Sequence, residues 1–590
     1  MTDVSLSLEQ RAEHWIAQDP DPVTSAELQA LLTQYLEGDT VALVALEELF
    51  ADRLHFGTAG IRGPLRPGPA GMNRVVIGQT TAGLARYLID AAGNSAPMDI
   101  TVVIGCDART NSEVFARDTA EVLSGYSIKA ILLPSFLPTP VLAFAVRHLG
   151  ADAGVMVTAS HNPPQDNGYK VYLGNTDEGS QIVPPVDAEI EHHIITVADS
   201  LTWAEIPRSS ENVVSSPDTV VSDYINQTIT SVAGSVTSAS AAPPPSTPAP
   251  AAASVSAGEF VDAAAPLSVV YTAMHGVGAG TFLAAVSAAR FPPLHAVSQQ
   301  VEPDAAFPTV AFPNPEEKGA LDLAFALARE VSADLVIAHD PDADRLALAL
   351  PDGTAEAGYT SLTGNQVGAI LGWHVAGRAK ARGQHGSLAN SLVSSPVLGR
   401  IAGHFGLAHE ETLTGFKYVS RVPGLLFGFE EALGYLVDPE VVRDKDGISA
   451  GLMALDLAYS LATEGQTLAD YLHRIEAAVG GFASGQITLR LENSSDKPSV
   501  TDTLRATPPE VLGRVAVVQI DDFLEGVDGF PKEDILRYSL DDDSRVIVRP
   551  SGTEPKLKVY LDTSGATGAD AQAGLAVLDT AVRELLTTLS

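Results

Sequence analysis

A single cysteine, Cys106, stands in a chain of 590 residues. No intrachain disulfide can form, which fits a reducing compartment. Cations are also scarce: Lys and Arg total 36 against 73 Asp and Glu, for a formal net charge of −37. Such a charge argues against nucleic acid or an anionic membrane as the main partner. No run of about 18 uncharged apolar residues is present to span a bilayer. The opening residues Met1-Thr2-Asp3-Val4-Ser5-Leu6 carry neither the basic nor the apolar region of a secretory signal. These absences lead to the expectation of a soluble cytoplasmic protein.

What is present points to several packed domains. The length exceeds one core, so roughly three to five domains are expected, and an apolar fraction of 45% supports them. Residues Leu8 to Leu54 read as helical, as do Val75 to Ala92 and Ser112 to Leu123. Ile100 to Gly105, Ala130 to Leu133, Leu267 to Tyr271 and Ala333 to Ala338 read as buried strands. Alternation of this kind predicts α/β layers with a largely parallel sheet. The stretch from Val515 onward mixes short strands and helices and ends in a helix from about Ala569 to Leu586. No short sequence repeat is visible. Residues Gly234 to Gly258, dominated by Ala, Ser, Pro and Thr, cannot bury enough apolar surface to offset their ordering entropy, so they read as a mobile surface insertion.

Chemistry concentrates in a few loops. Thr158-Ala159-Ser160-His161-Asn162-Pro163-Pro164 follows the apolar run Ala153 to Val157, and its paired prolines prevent a helix from continuing. A stiff loop at a strand end is a good mount for a nucleophilic hydroxyl, with His161 and Asn162 beside it and Lys170 following. A lone serine there would be an ordinary turn residue. Asp340-Pro341-Asp342-Ala343-Asp344-Arg345 follows the strand ending at Ala338, and three alternating carboxylates can converge on one hard cation. An EF-hand loop fails at its sixth position, which is Arg345 instead of Gly. Few protein carboxylates with room for a phosphate oxygen suit Mg²⁺. Arg549, Ser551, Gly552 and Thr553 follow the strand Arg545 to Val548 and combine a guanidinium, hydroxyls and an open backbone, a set suited to a dianionic phosphate.

Two other motifs read as structural. Gly276-Val277-Gly278-Ala279-Gly280 lacks the full dinucleotide spacing and is a tight strand-to-helix turn. His192-His193 has no metal-type partner spacing and reads as an exposed helix face.

Taken in order, these motifs resemble the α-D-phosphohexomutase superfamily, the phosphoglucomutases and phosphomannomutases, through nearly the whole chain. Thr158 to Pro164 looks like its phosphoserine loop, Asp340 to Arg345 its metal loop and Arg549 to Pro555 its phosphate-binding loop. Phe56 to Gly63 looks like the N-terminal active-site loop, Phe429 to Tyr435 the sugar-recognition loop, and Arg443 to Gly447 a further active-site segment. Phe56-Gly57-Thr58, Tyr271 to Gly278 and Thr414-Gly415-Phe416-Lys417 look like the branch of type-2 phosphoglucomutases and phosphopentomutases. Ala432 stands where the sugar loop often has Ser, and Tyr435 near where bacterial relatives have His.

The resemblance implies four domains around a central cleft, three related α/β units and a C-terminal α+β domain, expected at residues 1–206, 207–355, 356–470 and 471–590. It implies Ser160 as phosphoryl carrier and Mg²⁺ on Ser160, Asp340, Asp342 and Asp344. Lys170 is expected to move the proton, its pKa lowered by burial beside cations, with His161 as the second candidate. Arg62, Arg345 and Lys445 supply positive field, and Thr414, Gly415, Lys417, Glu430, Glu431 and the Arg549 loop bind substrate. The expected reaction interconverts glucose 1-phosphate and glucose 6-phosphate through glucose 1,6-bisphosphate. Phosphomannomutase, phosphopentomutase, a phosphatase and a silent sugar-phosphate binder are the alternatives. Nothing in the residues decides between monomer and dimer.

Overall fold

The computed structural model describes the chain apart from residues 1–5, 58–59, 94, 233–266, 491–498, 528, 551–555 and 590. The insertion read at Gly234 to Gly258 and the loop residues Ser551, Gly552 and Thr553 lie outside the described residues. The chain forms two compact units, Met1–Ser361 with Asp438–Asp456, and Leu362–Val437 with Leu457–Ser590. Among the described residues no helix is long and apolar enough to cross a membrane.

The first unit opens with three helices, Leu8–Gln18, Pro22–Leu36 and Thr40–Phe50, where the sequence reads as one helical stretch. The breaks have local causes. Ser7 caps the first helix in a box with Gln10, Asp21 caps the second just ahead of Pro22, and Asp39 caps the third. An N-cap side chain and a proline at the first position both start a helix and end the one before.

The first sheet contains β1 (Ile61–Pro64), β2 (Thr101–Cys106), β3 (Lys129–Leu132), β4 (Ala153–Val157), β5 (Asp166–Leu173), β6 (Ser180–Gln181) and β7 (Val213–Ser215). Its order is β1-β5-β4-β2-β3-β7, with β6 on β5. Strands β4, β2, β3 and β7 are parallel, while β5 runs antiparallel to β4 and to β1. The sheet is therefore mixed, with a parallel half as predicted and a folded-back edge that alternation alone does not reveal. Strand β4 is buried at every position and β2 at all but its first, so both faces are covered, which is why they read as continuous apolar runs. Val102, Ile104 and Cys106 point into the core shared with the N-terminal helices.

The second sheet has β8 (Val269–Thr272), β9 (His295–Ala296), β10 (Leu335–Ala338), β11 (Ala347–Pro351) and β12 (Tyr359–Ser361), in the order β12-β11-β10-β8-β9. The turn at Gly276 runs from β8 into the helix Gly278–Ala288 as expected. In the second unit, β13 (Ser387–Ser391), β14 (Ala408–Thr412), β15 (Leu425–Glu430) and β16 (Gly434–Leu436) are ordered β14-β13-β15-β16.

These three sheets repeat one topology. In β5-β4-β2-β3, β11-β10-β8-β9 and β16-β15-β13-β14, the first three strands in sequence are parallel and the fourth folds back on the third. The turns between third and fourth strands hold Ser160, the Asp340–Arg345 run and Glu431 respectively. Three loops that read as unrelated in sequence thus occupy one structural position.

The last sheet is antiparallel throughout: β17 (Gly481–Arg490), β18 (Val511–Leu512), β19 (Val515–Asp522), β20 (Leu536–Leu540), β21 (Arg545–Pro550) and β22 (Lys556–Gly565), in the order β17-β22-β21-β20-β19-β18. Leu536, Tyr538 and Leu540 alternate inward to a core closed by the helix Gly568–Leu589. Ile547 and Tyr560 lie in a second cluster with Leu392, Val393 and Leu413, so this sheet shares apolar contacts with the loop ends of the third.

Gly168 on β5 tests how tightly the Ser160 loop is seated. A methyl there would sit 2.5 Å from the Thr158 carbonyl oxygen and 3.0 Å from that of Ile61. Gly168→Ala should therefore cost about 1–3 kcal/mol, as overpacking does, seen as a lower urea midpoint. An unchanged midpoint would show that the loop yields freely.

Candidate active site

The first unit gathers Ser160, His161, Arg62, Lys170, Asp340, Asp342, Asp344, Arg345 and Lys445 around two loops. Ser160 is 3% exposed and sits in the left-handed region at φ 52°. Ala343, in the facing acidic loop, does the same at φ 54°. Non-glycine residues pay for that conformation and keep it only where their surroundings impose it.

Arg109 imposes it on the Ser160 loop. Its guanidinium donates to four backbone carbonyls: Ser160 and Asn162, both at 2.6 Å, Pro163 at 2.8 Å and Asp166 at 3.1 Å. Asp107 stands behind it at 3.4 Å, and the guanidinium lies over the Phe307 ring. Thr158 Oγ1 also accepts from the Ser160 N–H at 2.9 Å. Sequence reading missed Arg109. The available signal was its place: Asp107-Ala108-Arg109 follows the C-terminal end of the parallel strand β2, where α/β sheets bind ligands.

Ser160 Oγ donates to Asp340 Oδ2 at 3.0 Å and lies 3.3 Å from His161 Nδ1. Arg62 Nη1 donates to Asn162 Oδ1 at 2.9 Å, two residues from Ser160. Asp340, Asp342 and Asp344 are each 1% exposed or less, and one oxygen from each falls within 4.8 Å of the others. Lys170 Nζ donates to Asp342 at 2.7 Å and to Asp344 at 3.0 Å. Lys445 Nζ lies 3.2 Å from Asp344, and Arg345 Nε 3.8 Å from Asp340 and 3.9 Å from Asp344. Thr139, also missed, donates its hydroxyl to Asp342 Oδ2 at 2.6 Å and its N–H to the Asp342 carbonyl.

The charges do not balance evenly. Burial, then Asp342 and Asp344, push Asp340 well above the usual carboxylate range. Burial also opposes ionisation of Asp342, but Lys170 and Thr139 hold it low. The expectation of a Lys170 pKa lowered by neighbouring cations is not met. Burial does press the ammonium down, but Asp342 and Asp344 outweigh it and hold Lys170 above its ordinary value. Its neighbours are mainly anions, so it stands as a fixed positive charge. His161 goes the other way, pushed well below its ordinary value by burial and then by Arg345 and Arg62.

Asp342 Oδ1 and Asp344 Oδ1 are buried and accept no hydrogen bond among the described residues. Three convergent carboxylates with two such oxygens fit a hard divalent cation with oxygen ligands.

Lys445 arrives on the segment Asp438–Asp456. Asp444 anchors it, accepting from Tyr172 and Gln181, both at 2.9 Å, and from the Lys445 N–H at 2.8 Å. Gly447 packs so closely on the Arg345 carbonyl that a Cβ would collide with it.

The second unit holds the remaining expected residues. Glu430 Oε1 accepts from the Gly415 N–H at 2.7 Å. Glu431 Oε2 accepts from Ser394 Oγ at 2.9 Å. Lys417 is 6% exposed with Nζ over the Tyr418 ring, and Thr414 Oγ1 is buried without a hydrogen bond among the described residues. Arg549 hydrogen-bonds Tyr560, whose hydroxyl is pushed up by burial and by Glu431. Glu430, Glu431 and Arg549 thus share one neighbourhood around Tyr560.

Comparison with known proteins agrees with this architecture. Residues 53–200, 253–353 and 363–478 match the alpha/beta/alpha domains I, II and III described for phosphoglucomutase/phosphomannomutase, and 510–574 match its C-terminal domain. The chain belongs to the phosphoglucomutase/phosphomannomutase family. It is 48% identical over 516 residues to a Haemophilus influenzae protein named "Probable phosphomannomutase", covering 88% of this chain and 98% of that one. It is 32% identical to the phosphopentomutase of Mus musculus, covering 95% and 91%. A crystal structure of a phosphoglucomutase/phosphomannomutase family protein from Burkholderia thailandensis shares the fold at TM-score 0.66 and 18% identity, covering 91% and 98%.

Two outcomes follow from the site. Arg109→Ala should cost on the order of 3 kcal/mol, because it frees four carbonyls and leaves Asp107 a buried unpaired charge. Arg109→Lys should recover only part, since an ammonium cannot span the four acceptors; equal urea midpoints for wild type and Arg109→Ala would refute the clamp. Mg²⁺ should raise the melting temperature of metal-free protein, by about 2.7 kcal/mol of stability at a hundredfold excess over Kd. Asp342→Asn should lose that rise, and a wild type indifferent to Mg²⁺ would speak against the cation site.

Proposed function

We propose that the protein is a phosphosugar mutase that moves a phosphoryl group between the 1- and 6-positions of a hexose, with Ser160 as the carrier. The observation that carries this reading is the seating of Ser160 Oγ 3.0 Å from Asp340, in a loop clamped by Arg109, beside an acidic loop paired with Lys170, Arg345 and Lys445. In a protein of net charge −37, three cations lie against the carboxylates beside this hydroxyl. A phosphoserine there would meet the positive field a dianion needs.

In the forward step, a sugar hydroxyl attacks the phosphorus. The new O–P bond forms as the bond to Ser160 Oγ breaks, and the proton of the hydroxyl passes to a protein group while Ser160 Oγ regains one. His161, with Nδ1 3.3 Å from Ser160 Oγ, is the side chain assigned to exchange it, while Lys170, held charged by Asp342 and Asp344, supplies positive field. The sugar 1,6-bisphosphate so formed turns over and returns its other phosphoryl group to Ser160. Asp340, Asp342 and Asp344 would hold Mg²⁺, which would supply charge neutralisation for the transferring phosphoryl group. Positioning and electrostatics then carry most of the catalysis, as phosphoryl transfer requires. Glu430, Glu431, Thr414, Gly415 and Lys417 are assigned to sugar recognition, and Arg549 with Ser551, Gly552 and Thr553 to the phosphate that is not reacting. Glucose 1,6-bisphosphate is the proposed activator.

Glucose 1-phosphate is the proposed substrate. The 48% identical relative named for phosphomannomutase favours mannose 1-phosphate as the second reading. Isomerisation of glucose 1-phosphate, mannose 1-phosphate and ribose 1-phosphate should be compared with Mg²⁺ and a trace of glucose 1,6-bisphosphate. Turnover should favour a hexose, and Ser160→Ala should fall to the background rate. Full activity in Ser160→Ala would end this mechanism.

A further inference from the structure

The turn that follows β15 places Glu431 at the position that Ser160 and Asp340 hold in their own sheets. Its carboxylate is not free to turn. Oε2 accepts from Ser394 Oγ at 2.9 Å and from Ser391 Oγ at 3.4 Å, and the Glu431 N–H donates back to Ser394 Oγ at 3.0 Å. The two serine hydroxyls lie 2.8 Å apart. A hydroxyl has one proton and two lone pairs. Ser394 therefore gives its proton to Glu431 Oε2 and accepts from the Glu431 N–H, and the single Ser391 proton is shared between Ser394 Oγ at 2.8 Å and Oε2 at 3.4 Å.

Both serines are fully buried, Ser391 as the last residue of β13 and Ser394 just past its C-terminal end. Ser394 is fixed from behind as well. Arg545 on β21 donates to its carbonyl, and Glu411 and Asp562 each hold Arg545 at 2.8 Å. Glu431 is partly exposed and its Oε1 accepts no hydrogen bond among the described residues, so one carboxylate oxygen is presented while the other is tied down.

We infer that Ser394 is the residue that sets sugar selectivity, by orienting Glu431 so that Oε1 receives the ring hydroxyls of an aldose phosphate. This rests on the mutase reading above. A carboxylate that could rotate would accept hydroxyls from several sugar configurations alike, whereas a fixed one rejects those whose hydroxyl points elsewhere. Ser394 also joins the sugar loop to β21, the strand that carries Arg549.

The test is Ser394→Ala and Ser394→Thr in the full-length protein, assayed on glucose 1-phosphate, mannose 1-phosphate and ribose 1-phosphate with Mg²⁺. Ser394→Ala should lower kcat/KM for the preferred sugar by about tenfold, the scale of one hydrogen bond to a charged group. The loss should fall mainly in KM and spare the other sugars, so the preference ratio narrows. Ser394→Thr keeps the hydroxyl and should keep the ratio. With glucose 1,6-bisphosphate saturating, labelling of Ser160 should reach the wild-type extent in both. If Ser394→Ala does not fold, Ser391→Ala removes the weaker bond to the same oxygen and should narrow the ratio by less. A wild-type ratio in the alanine variant, whether its rates are intact or uniformly reduced, would overturn the inference. A wild type that isomerises none of the three would overturn the mutase reading itself, and the inference with it.

Discussion

Three carboxylates held in a buried pocket repel one another, and much of the first unit is arranged to offset that repulsion. Asp340, Asp342 and Asp344 have almost no contact with water, so their mutual repulsion is poorly screened. Lys170 comes from β5, Arg345 from the same loop and Lys445 from a segment that follows the third sheet. Each offsets part of the acidic loop's charge, and the acidic loop in turn receives the hydroxyl of Ser160. Two buried oxygens still accept nothing among the described residues. Folding of this region and the binding of a divalent cation are therefore expected to be coupled.

The repeated sheet topology explains how these parts come together. Each of the three sheets has two crossover connections between its parallel strands and one fold-back turn, and the fold-back turn holds the distinctive chemistry. The first presents the Ser160 hydroxyl, the second three convergent carboxylates and the third the Glu431 carboxylate. A strand that ends in a turn clamped by its neighbours holds a side chain more firmly than a free loop would. Arg109 on four carbonyls, Thr139 on Asp342 and Ser394 on Glu431 are three local versions of that device.

Much of this was legible in the sequence because it is local. Buried strands such as β2, β4 and β10 are short continuous runs of small and branched residues, and the loops after β4 and β10 announce themselves by Ser-His-Asn and by alternating Asp. What stayed hidden depends on distant residues. The fold-back edges were missed because β5 and β11 are buried like their parallel neighbours, so no alternation marks their direction. Arg109 and Ser394 act on groups 51 and 37 residues away, and an arginine after Asp-Ala or a serine among serines carries no mark of that partner. The direction of the Lys170 shift was misread for the same reason: its nearest charges, Asp342 and Asp344, come from a different sheet. The break of the N-terminal helical stretch was visible in Asp19-Pro20-Asp21-Pro22 and in Gly38-Asp39, which apolar spacing alone passes over.

The central claim is that Ser160 stores a phosphoryl group for return to a sugar. The most direct measurement follows that group. Protein labelled with radioactive phosphate from glucose 1,6-bisphosphate is freed of sugar and chased with unlabelled glucose 1-phosphate in Mg²⁺. The account predicts label on Ser160 before the chase and in sugar phosphates after it, within a single turnover. Label released as inorganic phosphate, or found on a residue other than Ser160, would contradict it.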